Sequence, residues 1–200
     1  MRYSPLSMAL VALALLVIAW FIIRFVKYHA TNAIHVPKQQ LLAVQGTGRY
    51  QGEGHYGATD HFPNGLKAKL QSTRKATDSG LEVVTEVTAY DAKTGQHAYD
   101  GVRYETFSYK PNKGDRVYKH SKSYIDGELV SSSNGWVTYA SDDAIETMSQ
   151  GSWHISEHDH DIKCRTERNG SKLHTTFSNN TQHPLHATLY MDEVYEKIDN

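Results

Sequence analysis

The sequence has only one cysteine and no excess of charge of either sign. Its 200 residues contain 21 Lys and Arg against 22 Asp and Glu, which gives a formal net charge of −1. Because Cys164 is alone, an internal disulfide is excluded. The balanced charge lacks the basic footprint that nucleic-acid binders carry, so we expect no nucleic-acid partner.

Motifs of common enzymes are missing as well. The chain contains no Gly-x-Ser-x-Gly elbow, no phosphate-binding loop and no His-Glu-x-x-His string. Cys164 lies between Lys163 and Arg165, which would lower the pKa of an exposed thiol, but a lone cysteine in a strand is more often a small core residue. We therefore predict no enzymatic activity and no cofactor.

One long uncharged run is present near the N-terminus. Residues 8–23 have the sequence MALVALALLVIAWFII, and the run extends over residues 6–26 if Arg24 snorkels. A cleaved signal peptide is the alternative, but Arg2 supplies only one charge before the run, and the best cleavage candidate, residues 31–33, lies beyond Lys27. The run predicts a transmembrane helix that anchors the chain in a lipid bilayer.

Positive charges at both ends of this run leave the orientation open. Arg2 and the amino terminus compete with Arg24 and Lys27, and the charge count alone mildly favours a cytoplasmic domain. A short tail before a large folded domain is instead typical of bacterial signal anchors. We predict a single-pass inner-membrane protein with its C-terminal domain in the periplasm. The regions are an anchor (1–27), a linker or lead-in segment (28–45) and a β-domain (46–200).

From Gly48 onward the apolar residues follow a period of two, which is typical of strands with one buried face. Residues 81–90 and 185–191 show this alternation most clearly. Turn dipeptides such as Asn64-Gly65, Asp126-Gly127, Asn134-Gly135 and Asn169-Gly170 separate the segments. The pattern predicts about eight to ten strands, near residues 48–57, 66–75, 80–91, 97–110, 115–125, 128–141, 144–156, 160–168, 171–178 and 185–197.

Serial hairpins predict antiparallel pairing in sequence order, and closing the sheet into a barrel removes its unpaired edges. We therefore predict an all-β, up-and-down antiparallel barrel in which the last strand pairs with an early one. The apolar residues 41–44 before it predict either a helical turn over one end of the barrel or a further strand.

The region from Gly46 to Ile198 resembles the lipocalin and fatty-acid-binding superfamily. The similarity lies in a lead-in segment, a glycine-rich first strand with the sequence GTGRYQGEG at residues 46–54, and consecutive hairpins to the C-terminus. Gly48-Arg49-Tyr50 stands where lipocalins carry Gly-x-Trp, with Tyr in place of Trp. The resemblance implies a barrel able to hold a small ligand.

Many aromatic residues occur in the predicted strands. The chain has 13 tyrosines and three tryptophans, and aromatic rings with polar tips suit pockets for amphiphilic molecules. The candidate ligand-binding residues are Tyr99, Tyr104, Tyr118, Trp136 and Trp153. The same residues are compatible with a filled barrel. The two function classes are a membrane-tethered barrel that binds a small molecule or lipid, and a non-enzymatic cell-envelope component that binds other proteins.

A histidine cluster is the sharpest chemical feature of the sequence. His154, His158 and His160 are accompanied by Glu157, Asp159 and Asp161, and imidazoles with carboxylates are competent zinc ligands. A structural zinc site needs four converging ligands, whereas a predicted turn separates His154 from the other two histidines. We therefore predict that these three residues are weak metal candidates and bind no structural metal.

Deleting residues 1–27 tests the predicted anchor. The truncated chain should be soluble and folded, because no second apolar run of membrane length follows. Membrane fractionation of the full-length and truncated chains measures this directly. Retention of the truncated chain in the membrane fraction after a high-salt wash would show that the single-span prediction is wrong.

Overall fold

The structure is a computed structural model that describes residues 14–20, 33–59, 61–110, 116–153, 158–179 and 190–198. Residues 14–20 form an exposed helical segment, α1, in a separate unit from the one that begins at Ile34. Within the described residues, no helix combines the length and apolar content needed to cross a membrane. The other residues of the predicted span 8–23 lie outside the described residues. The membrane anchor therefore stays a prediction.

Across the described residues, one further helix and ten strands follow. The helix α2 covers Lys38–Gln45. The strands are β1 (Gly48–Tyr56), β2 (Leu66–Thr77), β3 (Gly80–Asp91), β4 (His97–Lys110), β5 (Arg116–Ile125), β6 (Glu128–Ala140), β7 (Ala144–Trp153), β8 (His158–Asn169), β9 (Lys172–Asn179) and β10 (Tyr190–Lys197). These bounds follow the predicted segments, although residues 185–189 of the last predicted strand lie outside the described chain.

The ten strands form one closed antiparallel barrel. Each strand pairs with its neighbour in sequence, and β1 pairs with β10, with Gly52 opposite Tyr195. Closure leaves no sheet edge exposed. The predicted all-β class, antiparallel order and pairing of the last strand with an early one are therefore confirmed.

The predicted turn at Asn134-Gly135 is wrong, because both residues lie inside β6. Gly135 faces the lumen, where an added Cβ would collide with the carbonyl oxygen of Met148 and with the Ser149 hydroxyl on β7. Close approach of two strands therefore requires this glycine. Asn134 faces outward and accepts a hydrogen bond of 2.7 Å from the Tyr118 hydroxyl.

Helix α2 closes one end of the barrel, so the helical alternative for residues 41–44 is confirmed. Leu41 and Val44 are fully buried and join an apolar cluster of Val36, Leu81, Val83, Phe107, Val117, Val137 and Ile145. Lys38 Nζ donates to the carbonyl of Thr77 at 2.6 Å, and Gln40 Nε2 donates to the carbonyl of Ser141 at 3.0 Å. Both acceptors lie at strand ends, which places α2 over that end of the barrel.

Replacing Leu41 with Ala tests how much this closure stabilises the barrel. We expect Leu41→Ala to lower the free energy of unfolding by about 2–5 kcal/mol, because it removes buried methyl groups and leaves a cavity. The matched control is Leu42→Ala, since Leu42 is only partly buried. Urea unfolding measures both variants, and equal losses for the two would contradict a specific packing role for Leu41.

Candidate ligand pocket in the barrel lumen

A buried ion pair crosses the lumen of the barrel. Arg103 lies on β4 and Glu193 on β10, and the strands β1, β2 and β3 separate them around the ring. Arg103 Nη1 donates to Glu193 Oε1 at 2.9 Å, and Nη2 donates to Oε2 at 2.6 Å. Such a bidentate pair fixes both side chains in position. It therefore links opposite walls of the barrel.

Further polar side chains extend this pair on both sides. Arg103 Nε donates to Glu105 Oε2 at 3.2 Å, and Lys119 Nζ lies 2.6 Å from Glu105 Oε1. On the β1 side, the Tyr56 hydroxyl donates to Glu193 Oε1 at 3.0 Å. The Tyr195 hydroxyl donates to Glu193 Oε2 at 2.6 Å and accepts from Arg103 Nη2 at 3.1 Å. We call these six residues the charged floor: Tyr56, Arg103, Glu105, Lys119, Glu193 and Tyr195.

Mutual pairing keeps Glu105 and Lys119 ionised despite their burial. Burial alone would raise the pKa of Glu105, but the charges of Lys119 and Arg103 outweigh it and lower the pKa to about 2. Burial likewise opposes the charge of Lys119, whereas the carboxylate of Glu105, 2.6 Å from its ammonium group, raises the pKa of Lys119. Both residues are therefore charged at neutral pH.

A third buried cation, Arg74, lies beside the charged floor. Its guanidinium stacks 5.1 Å from the ring centre of Tyr195 and 5.3 Å from that of Tyr50. Its Nη1 donates to the carbonyl of Gln45 at 2.8 Å. Gln45 is the last residue of α2, so the Arg74 guanidinium lies at the negative end of the helix dipole. This contact ties the end-closing helix to the interior of the barrel.

A pocket lies on the other side of the charged floor, toward the end of the barrel that is remote from α2. Its cavity volume is about 90 Å³, and Arg103, Lys119 and Tyr56 are part of its lining. Ile125 and Met191 line it at strand ends far from α2. This volume is smaller than the roughly 300–1,000 Å³ of sites for drug-sized ligands, so the pocket suits a small or narrow molecule.

Serine residues form one wall of the pocket. Five of them line it on three neighbouring strands: Ser121, Ser123, Ser131, Ser133 and Ser149. In the β5–β6 register, Ser121 lies opposite Ser133, and Ser123 lies opposite Ser131. Each hydroxyl can donate and accept hydrogen bonds. We call these five residues the serine wall, and it adjoins Lys119 on β5.

Apolar side chains provide most of the remaining lining. They include Val87, Tyr99, Ile125, Val130, Ile162, Phe177 and Met191. Cys164 also lines the pocket; burial raises the pKa of its thiol, and the nearby charge of Lys119 lowers it by less. The thiol is therefore neutral at physiological pH. The pocket combines a hydroxyl-rich wall, a cationic base and an apolar wall.

The candidate aromatic residues lie in different places. Tyr99 lines the pocket and contacts Phe62, with ring centres 5.8 Å apart. Tyr104 is 48% exposed on the outer surface, and the edge-to-face pair of Tyr118 and Trp136, with ring centres 5.0 Å apart, also faces outward. Trp153 ends β7, and its side chain lies outside the described residues.

The histidine cluster lies at the β7–β8 connection. His154 falls outside the described residues, whereas His158 and His160 are placed on β8, opposite Trp153 and Gly151. Among the side chains that the structure describes, no group of three or more His, Cys, Asp or Glu is arranged to hold a metal ion. The absence of a structural metal at these histidines stays a prediction.

The charged floor and the serine wall were not predicted from sequence. The available signal is the period of each strand: Arg103 and Glu105 alternate in phase with buried Phe107, Lys119 with Val117, and Glu193 with Tyr195. In-phase charges of this kind indicate a polar interior. The period alone does not show which opposite charges meet across the lumen.

Comparisons with known proteins give a fold but no family. No family model and no curated protein sequence matches this chain. The fold is similar to that in the crystal structure of Rv2717c from M. tuberculosis, with 13% sequence identity and a TM-score of 0.52. The match covers 83% of this chain and 100% of that one. At this identity the likeness shows the barrel fold alone, and the resemblance to lipocalins stays a prediction.

Replacing Glu105 with Gln tests the charged floor. We expect Glu105→Gln to lower the free energy of unfolding at pH 7 by about 3–5 kcal/mol, because it leaves Lys119 buried without its partner. The pKa of Glu105 falls from an ordinary 4.5 to about 2 on folding. Its carboxylate therefore stabilises the fold fully above pH 4.5, and this stabilisation is lost as the pH falls toward 2.

The difference in unfolding free energy between wild type and Glu105→Gln should accordingly shrink between pH 4.5 and pH 2. Urea unfolding across that range measures it. The matched control is Glu82→Gln on the outer face of β3, where the side chain is exposed, and it should change stability little. A pH-independent difference for Glu105→Gln would contradict the assigned ionisation.

Proposed function

We propose that this barrel binds a small amphiphilic molecule in the pocket above the charged floor and does not convert it chemically. The observation that carries the proposal is the two-sided lining, with the serine wall facing an apolar wall that includes Phe177, Ile162 and Met191. Such a lining matches a molecule with one polar and one apolar part, because each part finds its own kind of surface.

Binding without catalysis is favoured by the chemistry of the lining. Cys164 is the strongest potential nucleophile there, but burial raises the pKa of its thiol, and the neutral thiol reacts poorly. Lys119 is held as a cation by Glu105 at 2.6 Å, and a protonated amine is not a nucleophile. The lining therefore has groups that orient a ligand but no activated group to attack it.

We further propose that the N-terminal apolar run keeps the barrel at the bacterial inner membrane, with the barrel in the periplasm. Residues 8–23 have no charge, and amphiphiles partition into bilayers. A tethered barrel would meet such a ligand at high local concentration. This part of the proposal depends on the anchor and is independent of the pocket.

A second candidate function is protein binding through the outer surface. Tyr104 and Tyr124 pack edge to face at 5.8 Å beside a shallow outer groove. Leu129, opposite Tyr124 on β6, is 39% exposed. Exposed aromatic and apolar residues of this kind suit a protein partner in the cell envelope. This function would not require the pocket.

Native mass spectrometry of the full-length chain tests ligand binding. We expect a small amphiphile to co-purify with wild type and to be lost from Ser133→Leu, which fills the pocket from the serine wall. The matched control is Ser132→Leu, because Ser132 lies on the opposite face of β6 and should keep the ligand. Circular dichroism checks that both variants fold.

Two outcomes would count against ligand binding. One is a wild-type chain with no bound molecule and no uptake of added amphiphiles. The other is equal retention of the molecule by Ser133→Leu and Ser132→Leu, which would place it outside the pocket. If Tyr104→Ala then abolished capture of an envelope protein, the second candidate function would take first place.

A further inference from the structure

The hydroxyls of the serine wall have no hydrogen-bond partner among the residues that the structure describes. Ser133 and Ser149 are only 7% and 3% exposed, so their hydroxyls meet the pocket and not bulk solvent. By contrast, the buried hydroxyl of Thr85 on β3 donates to that of Ser72 on β2 at 3.2 Å. Burial of an unpaired hydroxyl is costly. The contents of the pocket are therefore the available partner for the hydroxyls of the serine wall.

The serine wall presents its hydroxyls close together. Its members on β5 and β6 form two facing pairs, and side chains directly opposite in an antiparallel sheet are about 5 Å apart. Ser149 on β7 lies opposite Gly135, where an added Cβ would collide with the Ser149 hydroxyl. Because Gly135 has no side chain, it leaves that hydroxyl uncovered. The wall can therefore contact several polar atoms of one small chemical group.

The charges at the base of the pocket are already paired. Arg103 and Lys119 are the cations of the lining, and they form ion pairs of 2.6 Å with Glu193 and Glu105, respectively. The base therefore has no unpaired cation for an ionic ligand. A serine hydroxyl both donates and accepts hydrogen bonds, whereas a carboxylate only accepts them. A neutral hydroxyl group, which also does both, is the better complement to the serine wall.

We propose that the ligand of this pocket is a small neutral amphiphile whose polar end carries two or more hydroxyl groups, as in an alkyl diol or polyol. These hydroxyls bind the serine wall, and the apolar part of the ligand contacts the wall that includes Phe177 and Met191. This inference rests on the proposed ligand-binding function and specifies the polar group of the ligand. The cavity volume of about 90 Å³ restricts the apolar part to a short or narrow chain.

Three probes with the same carbon chain test the polar group. They are 1,2-hexanediol, 1-hexanol and hexanoate, which end in two hydroxyls, one hydroxyl and a carboxylate. Each is titrated at pH 7 by calorimetry into the full-length chain in nanodiscs of zwitterionic lipid, with empty discs as the blank. The diol should bind with about tenfold lower Kd than 1-hexanol, because its second hydroxyl pairs with further buried hydroxyls. Hexanoate should bind most weakly, because no unpaired cation offsets the loss of its hydration.

A double variant then locates the source of this preference. Ser133→Ala, Ser149→Ala removes two buried hydroxyls and should weaken diol binding about tenfold while changing 1-hexanol binding by at most about twofold. The matched control is Ser132→Ala, Ser178→Ala, because these two serines lie on the outer faces of β6 and β9. The control should bind all three probes as the wild type does.

Thermal unfolding of the same variants without a probe distinguishes a ligand-binding role from a structural one. Because the two hydroxyls have no partner within the described chain, Ser133→Ala, Ser149→Ala should keep or raise the Tm. A failure to fold, or a lower Tm that the control variant does not share, would show that these hydroxyls support the fold and would overturn the inference.

The binding outcomes separate this inference from the function beneath it. Equal affinities of the wild type for the diol and 1-hexanol, or tighter binding of hexanoate than of the diol, would overturn the neutral hydroxyl-bearing ligand and leave amphiphile binding in place. A preference for the diol that the double variant retains would overturn the assignment to the serine wall. Failure of the wild type to bind any of the three probes would overturn the proposed function together with the inference.

Discussion

The ion pair between Arg103 and Glu193 is the interaction on which the interior of this barrel depends. It joins β4 to β10 through two short hydrogen bonds, and both side chains are almost completely buried. Each charge is tolerable in the lumen only because the other is there, since an unpaired buried ion is strongly destabilising. The positions of Tyr56, Tyr195 and Glu105 follow, because each forms a hydrogen bond with one member of the pair.

This pair divides the lumen into two parts with different packing. On one side, α2 and the strand ends around it form an apolar cluster that includes Leu41, Val44 and Phe107. On the other side lies the pocket, with the serine wall and the ends of β1, β5 and β10. The same barrel therefore has a packed half, which suits stability, and a lined half, which suits binding.

The sequence predicted the outer architecture better than the interior. Alternation and turn residues depend on neighbours in the chain, so about eight to ten antiparallel strands and closure of the last strand on an early one could be predicted. The pairing of Arg103 with Glu193 depends on contact between residues 90 positions apart, which a local pattern does not contain. The same limit applies to Tyr104, whose aromatic character favoured a pocket although the phase of β4 places it outside. The predicted turn at Asn134-Gly135 was wrong because the glycine is required by the close contact between β6 and β7 and not by a turn.

The energetic cost of the charged floor favours a role in recognition over a role in stability. Well-packed apolar residues often replace a buried ion pair without loss of stability, and the α2 half of this barrel shows that the same fold supports an apolar interior. A second apolar cluster, which includes Leu70, Val87 and Leu173, lines other inner positions. Apolar side chains are therefore compatible with a large part of the barrel interior. We propose that the burial of the charged floor at the base of the pocket serves ligand binding.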